Sequence, residues 1–121
     1  MSDRHQLDVT DAANHAVATE VAEVMQALST RSRVQILGRL AASPCTVSGL
    51  VDALGLEQSA VSHQLQMLRH LDLVVGARRG RNVVYSLHDH HIGDLLRQAV
   101  SHTEHRHLKT QTTADLKKAA A

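Results

Sequence analysis

The near absence of aromatic residues limits the kind of core that this chain can build. Tyr85 is the only aromatic side chain among 121 residues, and there is no Phe and no Trp. The core must therefore be aliphatic, formed by Leu, Val, Ile, Met and Ala. Because a chain of this length without large rings buries limited area per residue, we expect a single domain that is stabilised by a partner subunit.

Apolar residues recur at helical spacing near the start of the chain. Residues 17–28 predict a first amphipathic helix, and residues 34–40 predict a second one that ends before Pro44. The first fourteen residues are polar and acidic. We expect residues 1–14 to form a flexible N-terminal arm.

Two further helices follow, with a glycine between them. Thr46 suits the N-cap of a short helix that runs through Leu54, and Gly55 supplies the turn residue after it. A longer helix is predicted from Gln58 to His70. A helix, a glycine-containing turn and a second helix, in that order, form the helix-turn-helix pattern.

A β-hairpin is predicted next. Residues 72–75 and 82–87 predict two strands, and residues 77–81 predict an arginine-rich turn between them. The fold class is therefore mainly α with a β-hairpin wing, which is a winged helix-turn-helix.

One more helix is predicted near the end of the chain. It runs from about His90 to His107, where apolar residues again recur at helical spacing. Residues 109–121 are rich in Thr, Lys and Ala, and we expect them to form a disordered tail. The winged helix-turn-helix domain would then span residues 15–108.

The positive charge is concentrated in the middle of the chain. Residues 30–82 carry seven Arg, no Lys and three acidic residues, a net charge of +4, whereas residues 1–29 have a net charge of −4. Arginine forms bidentate contacts with phosphate and guanine, which favours a nucleic-acid partner. A solvated surface would explain the charge alone equally well.

The exposed face of the longer helix carries side chains that can bond base edges in duplex DNA. The candidates on this face are Gln58, Ser59, Ser62, His63 and Gln66, with Gln64 near its edge. The candidates for holding backbone phosphates are Arg69, Arg78, Arg79 and Arg81. A polar helix face and a charged hairpin tip would also suit solvent, but their order behind a helix-turn-helix favours binding of double-stranded DNA.

Three segments together resemble the recognition helix and the wing of the ArsR/SmtB family. They are residues 58–68, with the motif Ser-Ala-Val-Ser-His-Gln-Leu, residues 71–74, and residues 80–87, with the motif Gly-Arg-Asn-Val-Val-Tyr-Ser-Leu. The likeness extends over residues 17–107. It implies a dimeric winged-helix repressor whose first and last helices form the dimer interface and which leaves its operator DNA when an inducer binds. Glu57 departs from the family pattern, in which a smaller capping residue is common.

Histidine is concentrated in and around the last predicted helix, since six of the ten histidines lie within residues 88–107. Such clustering is typical of metal sites. His91 and His102 are eleven residues apart, which brings them to within about 20° of one helix face. His105 lies one turn beyond His102, and Asp89 stands just before the helix.

One chain cannot bring these four residues onto one ion. Eleven residues of helix rise about 16 Å, whereas a first-row metal holds nitrogen and oxygen ligands at about 2.0–2.2 Å. If a second copy of the helix packs antiparallel to the first, two-fold symmetry builds two equivalent sites. Each site would then combine Asp89 and His91 with the partner's His102 and the partner's His105.

This set resembles the last-helix sensor site of the ArsR/SmtB family at all four positions. The thiolate site of other family members needs a Cys-X-Cys pair. The chain lacks that pair because Cys45 is its only cysteine. We expect Cys45 to be a small buried residue and not a ligand.

His107 extends the resemblance to the nickel- and cobalt-sensing subgroup, whose sites take further ligands from the N-terminal arm. His107 is a candidate fifth ligand, and His5 or, as a weaker candidate, His15 would serve from the arm. This resemblance favours Ni²⁺ or Co²⁺ as the inducer. Four nitrogen and oxygen ligands alone would suit tetrahedral Zn²⁺.

Two other classes of function fit the sequence less well. A zinc enzyme would need a motif such as His-Glu-X-X-His, which is absent, so we expect no enzymatic activity. A winged-helix regulator with a non-metal inducer would leave the histidines as incidental surface residues. No apolar run approaches the ~20 residues that cross a bilayer, and no secretion signal is evident, so we expect a cytoplasmic protein without a membrane partner.

Overall fold

The computed structural model describes the backbone of residues 6–120 and the side chains of residues 6–108. Within this range a short 3-10 helix, Val9–Ala13, precedes five α-helices and three strands. These are α1 (His15–Ala27), α2 (Arg31–Ala42), β1 (Cys45–Thr46), α3 (Val47–Leu54), α4 (Gln58–His70), β2 (Val74–Arg79), β3 (Asn82–Leu87) and α5 (His90–Ala120). The strands form an antiparallel sheet in the order β1-β3-β2.

Polar side chains set where three of the helices begin. Asn14 Oδ1 accepts two backbone N–H groups from the first turn of α1. Thr30 Oγ1 accepts the N–H of Arg33 at 3.4 Å, and Thr46 Oγ1 accepts that of Gly49 at 3.1 Å. These bonds satisfy N–H groups that have no partner within the helix, and they confirm the predicted cap at Thr46.

An aliphatic core holds the helices against the sheet. Its buried members come from all five helices and from the sheet, and they are Ala27, Ile36, Leu37, Leu40, Cys45, Leu50, Val61, Leu65, Leu68, Leu73, Val74 and Ile92. Tyr85 is only half-buried against this cluster. Burying one Leu or Ile side chain stabilises the fold by about 1.5–3 kcal/mol, so the cluster is stabilising without aromatic rings.

The turn of the hairpin is tighter than the sequence predicts. The prediction of a turn over residues 77–81 is wrong at its start, because residues 77–79 pair with β3 and belong to β2. Gly80 and Arg81 form the loop, and Gly80 has a φ of +63°. Glycine adopts this φ without steric cost, which permits a two-residue connection between the strands.

The sheet differs from the prediction at two other places. β2 begins at Val74 and not at Asp72, because Asp72 has a left-handed φ of +58° that a strand residue does not adopt. β1 is not predicted from the sequence. Its two residues pair with Tyr85 and Val84 of β3, and so short a strand has no periodicity to detect.

The N-terminal arm is partly helical. The sequence predicts flexibility over residues 1–14, whereas the structure forms the 3-10 helix Val9–Ala13 within them. Asp8 caps this helix, because its carboxylate accepts the backbone N–H of Thr10 at 2.8 Å and also the Thr10 hydroxyl. The bonds from the Thr10 hydroxyl and backbone lower the pKa of Asp8 below its ordinary value.

The last helix is longer than the sequence predicts. A disordered tail is expected over residues 109–121, whereas α5 continues to Ala120. The chain has no glycine or proline after Gly93 that would interrupt the helix. Despite this length, no helix in the described part of the chain is apolar enough to cross a membrane.

Candidate nucleic-acid interface and metal site

Helix α4 presents a polar face on the side away from the core. It begins at Gln58, as predicted, and Glu57 before it makes no side-chain capping bond. Val61, Leu65 and Leu68 are buried and anchor the opposite face. The exposed face carries Gln58, Ser59, His63 and Gln66, with Ser62 half-buried among them. These hydroxyl, amide and imidazole groups can bond base edges.

The turn ahead of α4 depends on Gly55. Its φ of +68° ends α3 in the left-handed conformation, which glycine adopts without strain. Leu56 and Glu57 complete the connection, and α4 packs against α3. The predicted helix-turn-helix is therefore present with the predicted bounds.

Gln64 is engaged inside the protein and not directed outward with the rest of the predicted reading face. Its side chain is half-buried, and its Oε1 accepts a hydrogen bond from Nε of Arg33 at 2.8 Å. Arg33 lies in the first turn of α2, 31 residues earlier in the chain. Arg33 is absent from the residues predicted from the sequence, since no local pattern links it to Gln64.

The four predicted phosphate-binding arginines are all exposed. Arg69 lies in the last turn of α4, and Arg81 lies in the hairpin loop. Arg78 and Arg79 end β2. Because successive strand residues point to opposite faces of a sheet, Arg78 and Arg79 are directed to different sides of the wing.

Asp89 and His91 lie together at the start of α5. Asp89 Oδ1 accepts the backbone N–H of His91 at 2.9 Å, and Nδ1 of the His91 ring lies 3.1 Å from the same oxygen. The other carboxylate oxygen lies 3.3 Å from Nδ1 of His88. The bond from the His91 backbone, followed by that with the His88 ring, holds the pKa of Asp89 below its ordinary value. The carboxylate is therefore charged at neutral pH, as a metal ligand must be.

The other predicted ligands lie further along α5 and are exposed. His102 and His105 are one turn apart, and the continuous helix rises about 16 Å between His91 and His102. Among the described residues, no three His, Cys, Asp or Glu side chains lie close enough together to hold a metal ion.

The three additional predicted ligands differ in what the structure says of them. His15 is exposed and is the first residue of α1. Helical geometry places His107 about 200° around α5 from His105. The two rings therefore point to different sides of a regular helix, which argues against one shared ion. His5 lies outside the described residues.

An apolar groove of about 360 Å³ lies between α1, α2 and α5. It is lined by Met25, Leu28, Val34, Leu95, Leu96, Ala99, Val100 and Thr103. Met25 is 50% exposed and Val100 is 57% exposed, although aliphatic side chains of this kind are usually buried. Exposed aliphatic side chains beside a groove make it a candidate protein–protein interface.

Known regulators resemble the chain in sequence. A sequence profile described as bacterial regulatory protein, arsR family, matches residues 30–75. The HTH-type transcriptional regulator NmtR of Mycobacterium tuberculosis is 55% identical over 91 residues, which are 75% of this chain and 76% of that protein. The transcriptional repressor SmtB homolog of Synechocystis sp. is 41% identical over 87 residues, which are 72% of this chain and 66% of that protein.

Solved structures resemble the chain in fold. The solution structure of apo-NmtR matches with a TM-score of 0.69 and 47% identity, over 86% of this chain and 84% of that chain. The homodimeric winged helix-turn-helix DNA-binding domain of a possible ArsR-family regulator from Mycobacterium bovis matches with a TM-score of 0.68 and 29% identity, over 88% of this chain and 94% of that chain. These matches confirm the predicted fold class and the prediction of a regulator and not an enzyme. The chain belongs to the arsR family of bacterial transcriptional regulators.

Proposed function

We propose that this regulator binds double-stranded operator DNA as a homodimer, represses there, and leaves the DNA when Ni²⁺ or Co²⁺ binds to α5. The observation that carries the metal response is the pairing of Asp89 with His91 on the helix that also exposes His102 and His105. Because bacterial DNA lies in the cytoplasm, a regulator of this kind works in that compartment.

The polar face of α4 is the part of the protein that would enter the major groove. That groove admits an α-helix, and its base pairs present distinct patterns of donors and acceptors. The proposed reading residues are Gln58, Ser59, Ser62, His63 and Gln66. Gln64 is left out of this set because its carbonyl is bonded to Arg33. The proposed phosphate contacts are Arg69, Arg81 and one of Arg78 and Arg79, which would position the helix without reading sequence.

We assign the apolar groove between α1, α2 and α5 to the second copy of the chain. Covering it would remove Met25, Val34 and Val100 from water, and each buried CH₂ group stabilises the dimer by about 0.8 kcal/mol. The homodimeric relative of the same fold supports this assignment. If α5 packs antiparallel to its symmetry mate, Asp89 and His91 meet the partner's His102 and the partner's His105.

The spacing of Asp89 and His91 suits a shared ion. Two ligands that are each about 2.1 Å from a metal ion, at an angle of roughly 90–109°, lie about 3.0–3.4 Å from one another. Asp89 Oδ1 and His91 Nδ1 are 3.1 Å apart. Together with two imidazoles of the partner, the donor set is one carboxylate and three imidazoles, which Ni²⁺, Co²⁺ and Zn²⁺ accept.

The candidate metals differ in the number of ligands that they would take from the protein. The resemblance to the nickel- and cobalt-sensing subgroup favours Ni²⁺ or Co²⁺, with His5 of the arm as a further ligand. The second candidate is Zn²⁺. Because His107 points away from the side of α5 that carries His105, four donors remain, and zinc is commonly tetrahedral. The absorption spectrum of bound Co²⁺ distinguishes them, since intense visible bands indicate four ligands and weak bands indicate six.

The switch needs only a modest coupling between the metal site and the DNA. When bound, the ion supplies a link between ligands of the two protomers. The ligands at the start and in the middle of α5 would then fix how the protomers lie relative to each other, and hence the distance between the two α4 helices. A coupling free energy of about 1–3 kcal/mol lowers operator affinity about 5–150-fold. Because protons and the metal compete for the same imidazole nitrogens, metal affinity should fall as the pH is lowered.

Release of DNA by the metal tests the proposal. Labelled duplexes that the wild-type protein selects from a random-sequence pool serve as the operator, and fluorescence anisotropy measures affinity with and without Ni²⁺. We expect the wild-type protein to lose at least about fivefold in affinity, whereas His102→Gln should bind equally well in both conditions. Glu104→Gln is the matched control on the same helix, at an exposed residue outside the proposed ligand set, and should respond like the wild-type protein.

Equilibrium dialysis measures bound metal in the same samples. It shows whether the metal site is occupied when DNA affinity is measured. Unchanged wild-type affinity with two ions bound per dimer would defeat the switching proposal. A protein that binds the DNA but takes up no metal would point to a non-metal inducer.

A further inference from the structure

One guanidinium connects three helices. Nε of Arg33 donates to Oε1 of Gln64 in α4 at 2.8 Å. Its Nη1 donates to the backbone carbonyls of Gln26 and Ala27 at the end of α1, each at 3.3 Å. Arg33 itself lies in the first turn of α2, where its backbone N–H donates to the Thr30 cap.

The acceptors around Arg33 suit a cation that is held in one orientation. The carbonyls at the C-terminal end of a helix carry the negative end of its dipole. The Gln26 carbonyl also accepts the backbone N–H and the hydroxyl of Ser29. A planar guanidinium donates in several fixed directions at once, which an ammonium group on a flexible stem does not. Because the side chain is half-buried and its donor is charged, these bonds are stronger than bonds between neutral groups.

We infer that Arg33 is a positioning residue for DNA recognition, which fixes the orientation of α4 relative to α1. The inference rests on the proposed roles of α4 in reading DNA and of α1 in dimerisation. Two recognition helices must lie at the spacing of successive major grooves. A bridge from the last turn of α1 to the middle of α4 sets that spacing without touching the DNA.

Salt dependence separates this role from a phosphate contact. An arginine that neutralises a phosphate contributes about 0.9 to the slope of affinity against salt concentration on logarithmic axes. Loss of a positioning residue leaves this slope unchanged and weakens binding at every salt concentration. Arg33 is half-buried with two of its nitrogens engaged, whereas Arg81 in the wing is exposed.

A double-mutant cycle on DNA binding tests the bridge in the full chain, with the duplex that the wild-type protein selects from a random pool. The variants are Arg33→Met, Gln64→Leu and their combination. We expect each single variant to bind about tenfold more weakly, the size of one charge-assisted hydrogen bond. The double variant should bind no more weakly than Arg33→Met alone, because Arg33→Met already removes the bond that Gln64→Leu removes. Gln64→Glu keeps an acceptor for the guanidinium and should retain most of the affinity.

Arg31→Met is the matched control, since Arg31 is an exposed arginine in the same turn of α2. It removes the same charge and should leave affinity at the wild-type level. Thermal unfolding and sedimentation of every variant establish that it is folded and has the wild-type oligomeric state.

Three results would overturn the inference. They are additive losses in the cycle, wild-type affinity in Gln64→Leu, and a salt slope that falls by about one in Arg33→Met. If Arg33→Met does not fold, the comparison of Gln64→Leu with Gln64→Glu decides, because equal losses in both would contradict a bond to the guanidinium. A wild-type protein that selects no DNA would refute the proposed function itself.

Discussion

Among single residues, Cys45 and Gly49 are packed so closely that a larger side chain at position 49 has no room. Cys45 is 8% exposed, which confirms the prediction of a small buried residue. A Cβ atom added at Gly49 would lie 2.5 Å from Sγ of Cys45 and 3.4 Å from Oγ1 of Thr46. The start of α3 therefore requires glycine for space and not for backbone conformation.

The Gly49→Ala variant should be destabilised by the contact with Cys45. Overpacking costs about 1–3 kcal/mol, and replacing glycine within a helix offsets up to about 1 kcal/mol of it. In a Cys45→Ala background the sulfur is gone, and the same change should raise the free energy of unfolding. Urea denaturation of the four proteins measures both effects. Stabilisation by Gly49→Ala in both backgrounds would contradict the packing described here.

Among the elements, the wing shows how strand register directs side chains. Arg78 lies opposite Val83 and Arg79 lies opposite Asn82, up to the loop at Gly80. Neighbouring residues of a strand point to opposite faces. A wing that approaches DNA with one face can therefore use one of these two arginines against a given phosphate backbone.

We predict that Arg78→Gln and Arg79→Gln affect DNA binding unequally. One of them should lower the salt slope of operator affinity by about 0.9 units, and the other should leave it nearly unchanged. Anisotropy titrations from low to high salt provide the slopes, with Arg31→Gln as a control for the loss of one charge elsewhere. Equal reductions in both wing variants would show that the strand register does not govern the contact.

In the whole molecule, the proposed metal sites depend on two protomers. The donors at the start of α5 and those near residues 102–105 are separated by about 16 Å of continuous helix. Within the described residues of one protomer they form no site for a metal ion. Two-fold symmetry would bring the start of each α5 helix beside residues 102–105 of the other and create two equivalent sites.

Mixed dimers test this arrangement directly. One protomer carries Asp89→Ala with His91→Ala, and the other carries His102→Ala with His105→Ala. Neither homodimer retains a complete site, but the mixed dimer should regain one, because one of its two sites keeps all four donors. Differently tagged protomers isolate the mixed species, and metal analysis with a Co²⁺ spectrum counts its ions. A mixed dimer that binds no metal would exclude sites shared between subunits.

The local elements of this protein follow from its sequence alone. The bounds of α3 and α4 match the prediction because their signals are short-range: the Thr46 cap, the left-handed turn at Gly55 and an apolar stripe at helical spacing. The hairpin and the helical spacing of the candidate ligands are likewise set by neighbours in the chain. The end of α5 is harder to predict, because without a glycine or proline after Gly93 nothing local marks where the helix stops.

Tertiary structure decided the features that join distant parts of the chain. The pairing of β1 with β3, the bond between Arg33 and Gln64 and the apolar groove between α1, α2 and α5 each depend on residues far apart in sequence. The sequence pattern around Gln64 is the same whether its side chain faces DNA or contacts another helix of the protein. Its partner is settled only when the helices pack, because a hydrogen bond needs atoms within about 3 Å and local periodicity does not specify which helices meet.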